Sequence, residues 1–193
     1  MLEFLQNIDT QFFLFLNGIH SGFFDTLMYY ISSKFIWIPL YLFFGFMLYK
    51  IFDNKFWIPL LVIVLTVAAA DLTSVYLFKN VFQRLRPCHN PELINMVHLV
   101  RNQCGGQYGF ISSHAANMFS LATIFGLLIR KKHPKALWIL YLWAALIAYS
   151  RIYLGVHYPG DVIGGALVGI GIGSLFFVIS KKFINQYSQA TKL

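Results

Sequence analysis

Lys79 with Arg86-Pro87, then Ser112-Ser113-His114, then Ser150-Arg151 followed by His157 and Asp161 form three polar islands in an otherwise apolar chain. Together they hold three strong cations, two histidines and a carboxylate. Such a set can bind an anion, attack it and protonate what leaves. Arg offers a planar fork matched to phosphoryl oxygens, and Lys a compact point charge. His157 and Asp161 stand four apart across Tyr158-Pro159-Gly160. There the carboxylate can accept the proton on one imidazole nitrogen and free the other as a nucleophile. Each island alone has a plainer explanation: cations snorkelling at a membrane boundary, a serine capping a helix, an aspartate capping another. Ionisable groups in or beside apolar spans are costly, however, and three of them together read as functional.

The local signals say how the islands are held. Ser112 and Ser113 precede the apolar run 115–129 and read as the N-cap and first turn of a helix, with His114 in that turn. Free N–H groups at such a terminus favour an anion. Lys79 and Arg86 are seven apart, about two helical turns, which predicts one shared face at the end of a helix that Pro87 terminates. Pro159 is placed to start the helix that follows His157.

The elements that carry the islands belong in a bilayer. The chain has 193 residues, 58% of them hydrophobic and 11% charged, and its mean hydropathy is +0.64. These values exclude an ordinary soluble domain. No linker, low-complexity tract or repeat divides residues 1–193, so one domain is expected. Glu3 and Asp9 fall where a cleavable signal peptide would be basic, so the spans themselves are expected to do the targeting. Residues 56–78, 113–129, 136–149 (continuing to about Leu154) and 159–180 are candidate spans. Residues 35–49 form a shorter one that Lys34 and Lys50 can extend by snorkelling. Residues 1–33 are rich in Phe and Leu but broken at Asn17, Gly18, His20, Gly22 and Asp25. They read as one or two interfacial amphipathic helices, with an imperfect sixth span as the alternative. The expected fold is therefore all-α, a polytopic membrane bundle of five or six transmembrane helices with interfacial helices at the N-terminus.

The positive-inside rule gives an expected orientation. Lys50 and Lys55, then Arg130, Lys131, Lys132 and Lys135, then Lys181, Lys182 and Lys192 alternate onto one side, the cytoplasmic one. The connection 80–112 and the turn 151–160 then lie outside, where the three islands meet. Lys79, Arg84, Arg86, Arg101 and Arg151 sit there against the rule, which implies a purpose other than topology. The formal net charge of +8 needs no nucleic-acid partner, since the basic residues occupy short loops between spans.

Three further features have structural readings. Asp71, inside a span, is expected to support a neighbouring helix rather than to react. Gly165, Gly169 and Gly173 recur every fourth residue and let two helices approach closely. Cys88 and Cys104 can close a disulfide in an oxidising compartment, worth about 3 kcal/mol on the loop-entropy model, or remain free thiols. His89 and His98 lie between them without standard zinc spacing, so no metal site is expected.

The pattern Lys79-x6-Arg86-Pro87, Ser112-Ser113-His114, Ser150-Arg151-x5-His157-x3-Asp161 resembles the type-2 phosphatidic acid phosphatase superfamily. The resemblance covers 79–161 and is most specific in the last motif. One departure is Ile111-Ser112-Ser113-His114 where the family usually reads Pro-Ser-Gly-His. The resemblance implies that His157 attacks phosphorus, Asp161 orients it, and His114 protonates the leaving oxygen. It implies that Lys79, Arg86 and Arg151 hold the phosphoryl group with help from Ser112, Ser113 and backbone amides, and that no metal or other cofactor is needed. A lipid phosphate is the implied substrate. By that resemblance the expected enzyme is a lipid phosphatase of the bacterial inner membrane acting at the periplasmic face. Its substrate is expected to be undecaprenyl diphosphate, with phosphatidylglycerophosphate or lipid A as alternatives. A lipid phosphotransferase and a non-catalytic lipid-phosphate binder or transporter are the rival classes. The sequence leaves the oligomeric state open.

Overall fold

The computed structural model describes residues 2–189, which are mainly helical with no strand among them. Helices α1 (Leu2–Gly18) and α2 (Gly22–Ser32) come first, separated at the expected break. A 3-10 turn at Lys34–Trp37 leads into α3 (Ile38–Phe52). Helix α4 (Trp57–Thr73) runs on through a π-helical segment, Ser74–Lys79, into a last turn, α5 (Asn80–Phe82). After a long connection come α6 (Ser113–Ile129), α7 (Ala136–Tyr153) and α8 (Pro159–Gln189). Lys192, one of the basic residues used for orientation, lies outside the described residues.

Among the described residues four stretches are long and apolar enough to cross a membrane: Lys34–Lys55, Trp57–Phe82, Ala136–Tyr153 and Pro159–Lys181. The protein is an integral membrane protein of all-helical fold. The expected count of five or six is met only in part, because α6 has 17 residues and is shorter than these. Its position explains the tolerance. Helix α6 packs against α4, α7 and α8, and Ala115, Ala116, Ala122 and Ile124 are fully buried. A helix surrounded by protein need not match the hydrocarbon thickness by itself. Leu42, Leu142, Leu167 and Val178 on the surrounding helices are strongly exposed. Such a belt would be a liability in water and is ordinary against lipid tails.

The glycine stripe sets the closest contact of the bundle. A Cβ on Gly165 would lie 2.5 Å from the Ser112 carbonyl oxygen, one on Gly173 2.7 Å from Thr123 Cβ, and one on Gly169 would overlap the Ala116 carbonyl oxygen. The stripe therefore packs α8 on α6 within the chain. Gly171, on the same helix, has nothing within 4 Å of its Cβ position. Gly169→Val should destabilise the protein by about 3 kcal/mol through overpacking, whereas Gly171→Ala should be neutral or slightly stabilising. Thermal melting of both variants in detergent checks the contrast.

At the other end of the bundle, Phe44 and Phe125 stack at 4.2 Å within the main core. At the site end, α1 and α2 pack against the segment joining α7 to α8. Phe13 meets Tyr158 edge-on at 5.4 Å, and Met28 packs with Tyr153, Leu154 and Val156. Buried Asn17 donates to the His98 and Tyr153 carbonyls at 3.0 and 2.8 Å and accepts from His98 N at 2.8 Å. It ties α1 to the long connection and to the end of α7.

That connection departs from the sequence reading at Arg86. Gln83 takes a left-handed conformation (φ 49°) and ends the helix at Phe82, so Arg86 lies on extended chain, not on a helical face shared with Lys79. Leu85 bridges to Tyr108, and Arg86 N donates to the Gln107 carbonyl at 3.1 Å. Pro87 opens a 3-10 turn instead of stopping a helix. Cys88 and Cys104 are joined in a disulfide, with Cα atoms 5.9 Å apart.

Candidate active site

His157 stands in the connection between α7 and α8 and is 1% exposed. Pro159 starts α8, and the first turn brings Asp161, fully buried, back under the imidazole. His157 Nδ1 lies 3.3 Å from Asp161 Oδ2, which also accepts from Tyr158 N at 3.1 Å. Asp161 Oδ1 accepts from Arg84 Nη1 at 3.0 Å. A carboxylate so surrounded can hold a proton on Nδ1 and leave Nε2 as the free lone pair. Burial holds the His157 pKa well below its usual value, and the charges of Arg86, Arg151 and Lys79 lower it further. The ring is thus neutral, the state a nitrogen nucleophile requires.

Gly109 makes this approach possible. A Cβ there would lie 2.8 Å from Asp161 Oδ2, so a side chain on this stretch would displace the carboxylate.

The cations come from three elements. Lys79 Nζ donates to Ser113 Oγ at 2.6 Å, and Ser113 Oγ lies 2.7 Å from Ser74 Oγ. Ser74 and Lys79 begin and end the π-helical segment, and such widenings recur at functional sites because they re-aim side chains. Arg86 Nε and Nη1 donate to the Tyr108 and Cys104 carbonyls, both at 3.3 Å. Arg151 Nη1 donates to Ser32 Oγ at 2.5 Å, and its Nε is buried without a hydrogen-bond partner. Among the described residues no carboxylate pairs with Lys79, Arg86 or Arg151. Buried positive charge with no carboxylate in direct contact is unfavourable, so this arrangement suits an incoming anion.

His114 occupies the first turn of α6 and lies within electrostatic reach of Arg151, His157, Arg86 and Lys79. It lines a cavity of about 440 Å³ with Arg151; Tyr29, Ser32 and Lys34 form one wall and Gln103 and Gly105 another. Ser112 is the N-cap of α6, its Oγ accepting from Ala115 N at 3.4 Å and its own N–H donating to the Asp161 carbonyl at 2.9 Å. Asp71 accepts from Asn117 of α6 at 2.9 Å. The structure therefore gathers His157, Asp161, His114, Lys79, Arg86, Ser113 and Arg151, while Ser112 serves the helix end and Asp71 binds the neighbouring helix. Sequence reasoning did not find Ser32, Gly109, Asp9 or the contact of Arg84 with Asp161. For Arg84 the one available signal was its positive charge in a connection that the positive-inside rule predicts to lie outside.

Residues 56–185 match the sequence profile of the PAP2 superfamily. The chain belongs to the PAP2 superfamily. Across 185 residues this PAP2 protein is 42% identical to a lipid A 4'-phosphatase of Bacteroides thetaiotaomicron, covering 94% of this chain and 81% of that one. It is 35% identical over 179 residues to a lipid A 4'-phosphatase of Porphyromonas gingivalis, covering 92% and 75%. An undecaprenyl-diphosphatase of Bacillus subtilis is 41% identical over 71 residues, only 37% of this chain and 35% of that one. In fold it is similar to the crystal structure of a transmembrane PAP2-type phosphatidylglycerolphosphate phosphatase from Bacillus subtilis, with a TM-score of 0.72 and 22% identity over 92% of this chain and 87% of that one. The chain is a PAP2 membrane phosphatase, a hydrolase of phosphate esters.

Proposed function

We propose that this protein removes a phosphate monoester from lipid A, at the 4' position. The observation that carries a phosphatase mechanism is the neutral, buried His157 beside three cations that have no carboxylate of their own. In this reading the phosphoryl group enters the cavity beside His114 and its oxygens lie against Lys79, Arg86 and Arg151. His157 Nε2 attacks phosphorus, and the bond to the ester oxygen breaks as His114 protonates it. Water, deprotonated by His114, then attacks the phosphohistidine; the P–N bond breaks, inorganic phosphate leaves and His157 is restored. Phosphoryl transfer asks mainly for alignment and charge neutralisation, which three fixed cations supply. Ser113, held between Lys79 and Ser74, fixes the ammonium group.

Support for lipid A over undecaprenyl diphosphate comes from the extent of likeness. The relatives with the lipid A name match over more than nine tenths of the chain, and those with the undecaprenyl name over half or less. The undecaprenyl preference expected from sequence therefore gives way. In the same reading α6 acts as a fifth crossing, α1 and α2 lie in the interface, and the cavity opens to the periplasmic side of the inner membrane, where a substrate keeps its tails in the bilayer.

Purified protein in detergent without divalent metal should release phosphate from bisphosphorylated lipid A. The acid-labile anomeric phosphate should remain on the product. Undecaprenyl diphosphate, phosphatidylglycerophosphate and phosphatidic acid should be hydrolysed at least about tenfold more slowly, a modest discrimination for one binding difference. Faster hydrolysis of undecaprenyl diphosphate would overturn the assignment, and transfer of the phosphoryl group to an added acceptor lipid would replace the hydrolase with a transferase.

A further inference from the structure

We propose that Arg84 and Asp9 are positioning residues for the His157–Asp161 dyad, so that the N-terminal helix α1 is a working part of the site; the inference rests on the phosphatase reading above. Both terminal nitrogens of the Arg84 guanidinium are engaged by carboxylates, and one face lies on an aromatic ring. Nη1 donates to Asp161 Oδ1 at 3.0 Å, Nη2 pairs with Asp9 Oδ2 at 2.7 Å, and the plane lies 3.9 Å from the centre of the Tyr158 ring. The Arg84 carbonyl accepts from Gly109 N at 2.8 Å, which fixes the strip of chain beneath the Asp161 carboxylate. Arg84 thus commits both terminal nitrogens to carboxylates, whereas Arg151 has no carboxylate partner among the described residues. The effect of Arg84 on chemistry must pass through Asp161.

The need for such a partner follows from burial. Asp161 is fully buried, and an ionised carboxylate there requires a compensating charge in hydrogen-bond contact. Among the described residues Arg84 is the one cation paired with it by salt bridge besides His157 itself, which must be neutral to attack. Without Arg84 the carboxylate would lose its reason to stay ionised and aimed at Nδ1. The imidazole could then hold its proton on Nε2, the nitrogen that has to attack, as happens when a triad aspartate is replaced by its amide.

Asp9 gives the arrangement its reach. Its Oδ1 accepts from Gly160 N at 2.7 Å, one of the free N–H groups at the start of α8, while its Oδ2 holds Arg84. A Cβ on Gly160 would lie 2.7 Å from Asp9 Oδ2, so that position has to be glycine for Asp9 to seat. Around Asp9 the α1 residues Leu5, Ile8 and Phe12 are exposed, as expected of a helix that meets lipid. A shift of α1 against the bundle would move Asp9 and release Arg84.

The test is a double-mutant cycle on the full chain, using the lipid that wild type hydrolyses. Arg84→Gln should lower kcat on the order of 100-fold with KM within about threefold, because the lost effect acts in the chemical step. Arg84→Lys should regain at least about tenfold, since a point charge still compensates Asp161. Asp9→Asn keeps an oxygen for Gly160 N but loses its charge, and should lower kcat about tenfold. Arg84→Gln with Asp9→Asn should be no slower than Arg84→Gln alone, because Asp9 acts through Arg84. Full additivity, an unchanged kcat in Arg84→Gln, or a loss confined to KM would overturn the proposal. Should wild type hydrolyse no lipid, the phosphatase reading fails, and ¹⁵N NMR of His157 decides the pair by itself. A shift of the His157 tautomer from Nδ1–H in wild type to Nε2–H in the Arg84 and Asp9 variants supports it, and an unchanged tautomer rejects it.

Discussion

His157→Asn should yield a folded protein whose phosphate release falls by at least about four orders of magnitude. The loss of a covalent nucleophile is not made up by the remaining groups, which supply only binding and charge. Asparagine is chosen because its amide can still face Asp161, so the buried carboxylate keeps a partner and the fold is spared. A brief incubation with ³²P-labelled lipid, quenched in alkali where phosphohistidine survives, should label wild type and leave the variant unlabelled. Labelling of the variant would remove His157 from the nucleophile's role. The same residue predicts the pH profile. Burial, then the charges of Arg86, Arg151 and Lys79, depress the His157 pKa. Its neutral form therefore persists well below pH 6.5, where an ordinary histidine is already half protonated. The acid limb of kcat/KM should therefore fall below pH 6.5. An acid limb centred at 6.5 or above would mean that His157 is not held neutral by its surroundings.

Arg151→Ala should lower kcat by about 10²–10³-fold, the range seen when one fixed donor to a developing oxyanion is removed. Arg151 has a buried Nε without a partner and one Nη bound to Ser32 of α2. It is therefore held rigidly beside the cavity and keeps donors for a ligand. Arg151→Lys should recover charge but not the fork, and remain about tenfold or more below wild type. Vanadate, whose five-coordinate form copies the transferring phosphoryl group, should weaken as an inhibitor in proportion to the fall in kcat/KM across the series. If vanadate affinity stays constant while activity falls, Arg151 shapes the cavity wall through Ser32 and does not touch the phosphoryl group. Ser32→Ala separates the two effects, since it removes the wall contact and leaves the guanidinium.

Much of the protein was legible in short windows of sequence. The helix containing Ser113, its Ser112 cap, the start of α8 at Pro159 and the i,i+4 pairing of His157 with Asp161 all follow from signals a few residues long. Apolar runs between basic loops gave the two spans 136–154 and 159–180 within a residue or so, because lipid admits few alternatives to a helix. The runs 35–49 and 56–78 ended several residues early, and 113–129 is shorter than the crossing stretches. The Lys79–Arg86 spacing misled for a local reason. Gln83 turned left-handed and broke the register that a continuous helix would have kept.

By itself the sequence determined which residue types could do chemistry, the helices they sit on and the all-helical membrane class. Only the tertiary structure decided that Arg84 belongs to Asp161 rather than to a phosphate, that Asp9 reaches Gly160, and that Ser32 of α2 walls the cavity. Those pairs are separated by 77, 151 and, for Ser32 with Arg151, 119 residues. Helical period, caps and turns are set by neighbours along the chain and can be read there. Which buried charge meets which is set by how helices pack, where a carboxylate takes the cation that packing brings within reach.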